Sequence, residues 1–433
     1  MGYCIFACRN HRRPNHFASE PDLQTSGNRR GTLLNRLVFS IFLTTSCFCH
    51  ASRADDWPQW LGPHRNSIST ETGWLKRWPK SGLRQIWREK LGLGFSDVSV
   101  KDGRLFTMGH EDGQDTVFCL NPESGEEIWK YSYPCGLHED NRGVPGTAST
   151  PTVHEDSVYT LSRDGDLFCF EAATGQVRWQ VNPHRDLSTK MSMFGFIGSP
   201  VVAGNLVVVD VGAAVAVDKS TGKTVWNTED FGGTYASPQA FSIGDRNLVS
   251  VFNATGLILL DAQTGEEFCR KSWPTPQFDT NTATPVIAGN RIFISSGYDR
   301  GYALLEVTGS EEPKILWQDE AARTFSNTWV LWQGNFYGFI DEELVCCDFE
   351  TGAIRWRKKW VGRGCTLVAD GMLLVLSEKG ELVLAEASPE GYTEVSRSQN
   401  IGGRCWTLPV LANGRLYLRN SDGLLVCLDL KGE

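Results

Sequence analysis

Two adjacent cysteines, Cys346 and Cys347, sit inside "LVCCDFETGAIRW" (344–356). A vicinal pair of this kind can close into a disulfide and exchange electrons with a redox cofactor. Three arginines form a second set: Arg323, Arg363 and Arg404 each stand three to seven residues ahead of a strand start, with Asn327 and Trp406 close by. Converging guanidinium forks suit a carboxylate, a phosphate or an acidic peptide. Asp97 and Asp279 occupy equivalent loops, and carboxylate oxygens there would suit a cation or a base. What these groups can do depends on the elements that carry them.

The cysteine segment is one copy of a repeat. Its relatives are "VFCLNPESGEEIW" (117–129), "LFCFEAATGQVRW" (167–179), "AVAVDKSTGKTVW" (214–226) and "LILLDAQTGEEFC" (257–269). Looser copies begin at Tyr302 and Leu382, and an eighth ends the chain. In the regular copies a short strand runs into Asp, Asn or Glu. Gly follows four residues later, and an aromatic or Cys falls eight residues after the acidic position. The polar side chain bonds its own turn, and Gly supplies the positive φ. Two further strand signals precede each copy, as in "SPVVAGNLVVVD" (199–210).

Four strands per unit of about 40 to 50 residues predict propeller blades, because a lone meander buries neither face and radial packing buries both. Pro151, Pro200, Pro238, Pro285 and Pro409 head the first strands. That suits an edge lining a central channel, where a missing N–H costs nothing. The last copy stops before a fourth strand, while "GLRQIW", ending at Trp87, is a fourth strand with nothing before it. Residues 82–88 are therefore expected to complete the C-terminal blade. The fold class expected is all-β, an eight-bladed propeller of four-stranded antiparallel blades, closed by pairing of the N- and C-terminal segments.

The repeat also decides the cysteines. Cys119, Cys169, Cys346 and Cys427 all lie two residues before the acidic turn position. A catalytic pair has no reason to recur in that way, whereas small buried thiols do. Adjacent strand residues also point to opposite faces with Cα atoms about 3.8 Å apart, under the roughly 4.4–6.8 Å that a disulfide spans. Both are read as core residues. The unit-ending Trp87, Trp129, Trp179, Trp226, Trp317 and Trp356 are read as wedges between blades.

The pattern "DGxLxCLDxxTGxxxW" resembles the PQQ-like, quinoprotein-type repeats of eight-bladed propellers, a family with BamB-like and PQQ-dependent dehydrogenase-like members. "DWPQWLGPHRNSIS" (56–69) looks like the opening of bacterial secreted members. The resemblance covers 56–433 and implies the fold; members with and without quinone share the repeat.

Seven Arg and two acids precede residue 55, followed by an apolar run from Leu37 to Cys49 and a small-x-small site at Ser52 and Ala54. This reads as an export signal, too short for a transmembrane span. Cys47, after "LTTS", offers a weak lipid-anchor match. The organisation expected is 1–54 extension and signal peptide, 55–81 lead-in and 82–433 propeller, placed in the periplasm or outside the cell. The remaining 35 basic and 49 acidic residues leave a net charge of −14, which disfavours nucleic acid. No metal-ligand spacing, dinucleotide loop or Gly-x-Ser-x-Gly elbow is present. The function expected is a binding or assembly scaffold with no catalytic residue, no metal and no cofactor, taking a protein or small anionic ligand at the propeller funnel. The alternative is an alcohol dehydrogenase using PQQ with Ca²⁺.

Overall fold

The computed structural model describes residues 56–136, 144–275, 281–297, 299–320, 324, 328–359 and 362–431. Its strands form eight sheets of four antiparallel strands, one of them extended by a short parallel strand, and the one helix among the described residues is Pro183–Leu187. The blades span 99–134, 152–181, 201–227, 239–272, 286–319, 330–359, 364–399 and 410–429. Blade 8 takes its outer strand, Gln85–Lys90, from ahead of blade 1, paired antiparallel with Leu424–Asp429. The ring closes as the sequence predicts. Pro151, Pro200, Pro238, Pro285 and Pro409 immediately precede their innermost strands.

Both faces of a blade are apolar because each blade is sandwiched by two neighbours. In Glu343–Asp348 of blade 6, Leu344 and Cys346 pack with Tyr337, Val368 and Leu373 toward blade 7. Val345 and Cys347 pack with Phe293 and Phe336 toward blade 5. The two thiols thus occupy opposite faces, free and fully buried. Burial pushes Cys346 up to about 11 and Cys347 higher still, so neither is a thiolate at neutral pH. Both are expected to resist iodoacetamide in the native protein and to react once it is denatured without reductant. A peptide carrying this dipeptide two hydrogens light would overturn the assignment.

The blade-ending tryptophans have a defined job. Cys119, Cys169, Cys346 and Cys427 pair directly across the sheet with Trp129, Trp179, Trp356 and Trp87. Each of these indoles then reaches the next blade: Trp129 Nε1 donates to Ala172 O at 3.0 Å and Trp179 Nε1 to Lys219 O at 3.0 Å. Trp87, Trp226, Trp317 and Trp356 repeat the bond to Pro122, Ala262, Phe349 and Ser388. At five of the six, all but Trp356, the ring lies on the neighbour's turn glycine. At Gly175, with φ +74°, an added Cβ would stand 2.6 Å from the Trp129 ring.

Two seams lack this clamp, since Cys269 and Ser396 stand where the tryptophan would be. At blade 7 the lead-in compensates. The Leu75 N–H donates to Leu430 O at 2.7 Å, Ser396 Oγ donates to Lys76 O at 2.9 Å, and Trp74 is buried against blades 7 and 8.

The lead-in also enters the channel. Asp56 meets the first hairpin turn of blade 1 at the Asp102 N–H, and Trp57 exchanges backbone bonds with Val100 at 2.8 Å. Pro58 O accepts from Val153 N, and Trp60 Nε1 donates to Thr284 Oγ1. Ile68–Ser69 then runs parallel to Gly364–Ala369 of blade 7, and Glu71 accepts from the Gly414 N–H in a blade 8 turn. Residues 56–71 therefore begin and end at first hairpin turns, of blades 1 and 8, and between them reach Thr284 at the head of blade 5. What the sequence offered as a lead-in is a plug followed by a strap.

Candidate functional site

The face opposite the first hairpin turns carries the loops that enter the innermost strands. At this face a belt of hydrogen bonds links blades head to tail. Leu408 N donates to Asp97 Oδ1 at 3.0 Å, and Asp97 N to Thr150 Oγ1 at 3.1 Å. Thr150 N donates to Ser199 Oγ, Ser199 N to Ser237 Oγ and Ser237 N to Thr284 Oγ1. Four of these acceptors are the Ser or Thr immediately before a strand-heading proline. The residue before proline is held extended, so its N–H points sideways to the next blade. The Ser/Thr-Pro pairs were visible in the sequence, but their hydroxyls carried no signal until the blades were set side by side.

Asp97 holds the belt position of blade 1. It is 3% exposed, Oδ2 has no partner, and burial pushes its carboxyl well above the usual range against the opposing pull of the Leu408 amide and Arg419. Arg419, 2% exposed, pins the same loop through Ser96 O at 2.8 Å and Gly92 O at 3.3 Å. The carboxyl's bond from the Leu408 amide links blade 8 to blade 1. Asp279, Arg323 and Asn327 lie outside the described residues.

The other sequence candidates meet at the mouth of blades 7, 8 and 1. Exposed Arg404 lies over the Trp406 ring at 4.9 Å, and Trp406 stacks on Phe95 with centroids 5.5 Å apart and planes at 24°. Trp406 Nε1 donates to Glu378 Oε2 at 3.4 Å. Glu378 is fixed in turn, its N–H donating to Arg363 O at 2.6 Å and its carbonyl accepting from Cys405 N at 2.9 Å. Arg363 is half-buried beside it. Phe95 and Glu378 were missed by sequence reasoning. Glu378 lies in the second-to-third hairpin of blade 7, which opens on the same face as the entering loops. Blade 3 adds exposed Met193 and the Phe194–Tyr235 ring pair at 5.7 Å.

This mouth therefore combines a cation–π–π stack, one carboxylate and an apolar sector. Such surfaces bind by desolvating aromatic and arginine anchors. Among the described residues no group of three or more His, Cys, Asp or Glu is placed to hold a metal ion.

The family model described as outer membrane protein assembly factor BamB matches residues 78–182, 137–348 and 340–433. The chain belongs to this BamB family. The BamB of Burkholderia pseudomallei (strain K96243) is 25% identical over 349 residues, covering 78% of this chain and 75% of that protein. The crystal structure of BamB from Moraxella catarrhalis superposes with a TM-score of 0.60 at 17% identity, covering 81% of this chain and 98% of that one. This likeness speaks for the fold. A quinohemoprotein alcohol dehydrogenase, ADH-IIG of Pseudomonas putida, is 30% identical over 196 residues, or 40% of this chain and 26% of that enzyme. The repeat is thus common to BamB relatives and to enzymes, and the site has to separate them. Within the BamB family the match leaves residues 56–77, which include the plug, outside the shared model.

Proposed function

We propose that this protein is an exported β-propeller of the BamB family that acts as a binding and assembly scaffold without chemistry of its own. The observation that supports this reading best is the mouth of blades 7, 8 and 1, where exposed Arg404 covers half-buried Trp406, which in turn stacks on buried Phe95. The ligand is a partner protein offering acidic and aromatic groups to this surface, on a chain whose net charge is otherwise −14 beyond residue 54. Asp97, the described carboxyl that the dehydrogenase reading would need, is buried and tied into the belt. The leader before residue 55 carries the protein out of the cytoplasm, to the periplasm or beyond.

A photo-crosslinking side chain placed at Trp406 in cells is expected to give one discrete protein adduct, and the same group at exposed Val225 on an outer strand none. Replacing Arg323, Arg363 and Arg404 together by Ala should abolish an adduct formed from a probe at exposed Met193, with the melting temperature little changed, since surface changes cost within about 0.5 kcal/mol each. An adduct indifferent to the three arginines would sink the reading. PQQ with Ca²⁺ is expected neither to raise the melting temperature nor to support alcohol-dependent dye reduction; either effect would favour the dehydrogenase instead.

A further inference from the structure

Blade 1 outreaches blade 8 at the seam that closes the ring. Its three outer strands, Arg104–Glu111, Gln114–Leu120 and Glu127–Pro134, run for 8, 7 and 8 residues. The strands facing them, Arg415–Arg419, Leu424–Asp429 and Gln85–Lys90, run for 5, 6 and 6. The chain leaving the closing strand then crosses blade 1 on its second strand, where Leu93 and His110 exchange backbone bonds at 2.8 and 2.9 Å. It passes so close that a Cβ on Gly109 would stand 1.6 Å from Leu91 O. With the crossing chain pinned to the second strand, the blade 8 side of the third and fourth strands is left partly uncovered.

That gap is a groove of about 580 Å³, within the size range of ligand-binding clefts. Its floor is half-buried Phe118 and the paired hydroxyls of Thr116 and Ser132, 2.8 Å apart. Glu111 and Asp112 stand at one end, at the hairpin before the third strand, and Glu126 and Glu127 at the other, after it. Glu89 lines the wall contributed by blade 8. Only two lysines line the groove with these five acids, and one of them, Lys130, is held by Glu127 at 3.0 Å. Glu89, Glu111 and Asp112 have no ion-pair partner among the described residues. From Gln114 to Leu120 the third strand advances about 20 Å, the length of about six residues of extended chain. A cleft lined by one sign of charge concentrates the opposite sign within it.

We propose that this groove docks an extended segment of a partner protein, with a basic residue toward each end and an aromatic or aliphatic side chain between them. The basic residues meet the acids at the two ends, and the apolar side chain seats on Phe118. Complementary charge sets the choice of partner and the rate of encounter, and the apolar contact adds hold. The groove shares no residue with the mouth of blades 7, 8 and 1 and does not rest on its function. Its preference for charge is opposite to that of the arginine-bearing mouth, so one scaffold holds two unlike partners.

The test is fluorescence anisotropy of a short labelled peptide, with arginine at both ends and phenylalanine in the middle, titrated with the protein at physiological ionic strength. Saturable binding is expected, and none for the same peptide with glutamate at both ends. Glu89→Gln/Glu111→Gln/Asp112→Asn should weaken binding by about tenfold or more, because it removes the unpaired acids of the groove. Glu229→Gln/Asp245→Asn/Glu342→Gln removes as much charge from exposed positions elsewhere and should leave binding within about twofold of wild type. Thr116→Arg, which fills the groove with a cation, should abolish it, and Arg363→Ala/Arg404→Ala should bind as the wild type does. Equal losses in the two charge-matched triple variants would reduce the attraction to net charge and overturn the proposal, as would no binding of the arginine peptide. Spermine that displaces the peptide at equal concentration, with Phe118→Ala binding the peptide unchanged, would assign the groove to small polycations and also overturn it. Thr116→Arg decides the matter even if the groove triple variant fails to fold.

Discussion

Deleting residues 56–90 should leave a chain with no cooperative unfolding transition and a strong tendency to aggregate. The deletion removes the outer strand Gln85–Lys90 and so exposes the ladder groups of Leu424–Asp429 and one face of blade 1. It also removes buried Trp57, Trp74 and Trp87, at 2%, 6% and 7% exposure. Losing a buried tryptophan costs about 3–5 kcal/mol, so three of them rival the whole net stability of roughly 5–15 kcal/mol of a typical domain. An unpaired strand edge adds an association hazard. Deleting 56–71 alone removes the plug but keeps the closing strand, and should lower the melting temperature while preserving a single transition. Calorimetry and light scattering on the two deletions check this. A 56–90 deletion that melts cooperatively at the wild-type temperature would falsify closure by the N-terminal strand.

The second large effect is expected at a clamp. Trp129→Ala should destabilise the protein by about 3–5 kcal/mol, because the residue is 8% exposed, covers Gly175 and donates to Ala172 O across the blade 1–2 seam. Gly175→Leu attacks the same contact from the other side, since its Cβ would meet the ring at 2.6 Å with φ at +74°. The two changes share one contact, so the double variant should cost less than the sum of the singles. Cys269→Ala, at a seam without a clamp, removes a single sulfur and should cost about 1 kcal/mol. Urea midpoints of the four proteins decide the matter, and a Trp129→Ala cost no greater than that of Cys269→Ala would refute the clamp.

Most of the ring was written in the sequence because its rules are local. A strand of period two, an acidic turn residue, a glycine and a terminal tryptophan repeat at fixed offsets, and a unit with two apolar faces has to be packed on both sides. The recurrence of Cys119, Cys169, Cys346 and Cys427 at one register position was enough to place Cys346 in the core, and the orphan strand before Trp87 was enough to foretell how the ring closes. The candidate site was legible only in part. Arg363, Arg404 and Trp406 could be found from their loops, yet Phe95 and Glu378 come from other blades and reach Trp406 only after the ring has closed.

Asp97 was read as a channel-facing acid because its type and position allow nothing else from sequence alone. Its burial and its bond to Leu408, 311 residues away, depend on the approach of blade 8 to blade 1. The plug was equally hidden. Residues 56–71 have no repeat pattern, and their partners at Val100, Val153, Pro200, Pro238, Thr284, Val368 and Leu411 are scattered over seven blades. Sequence determined the blades, whose contacts are near neighbours in the chain and periodic. Tertiary structure alone decided what fills the channel, because those contacts join residues that share neither period nor proximity until the eight blades enclose a common axis.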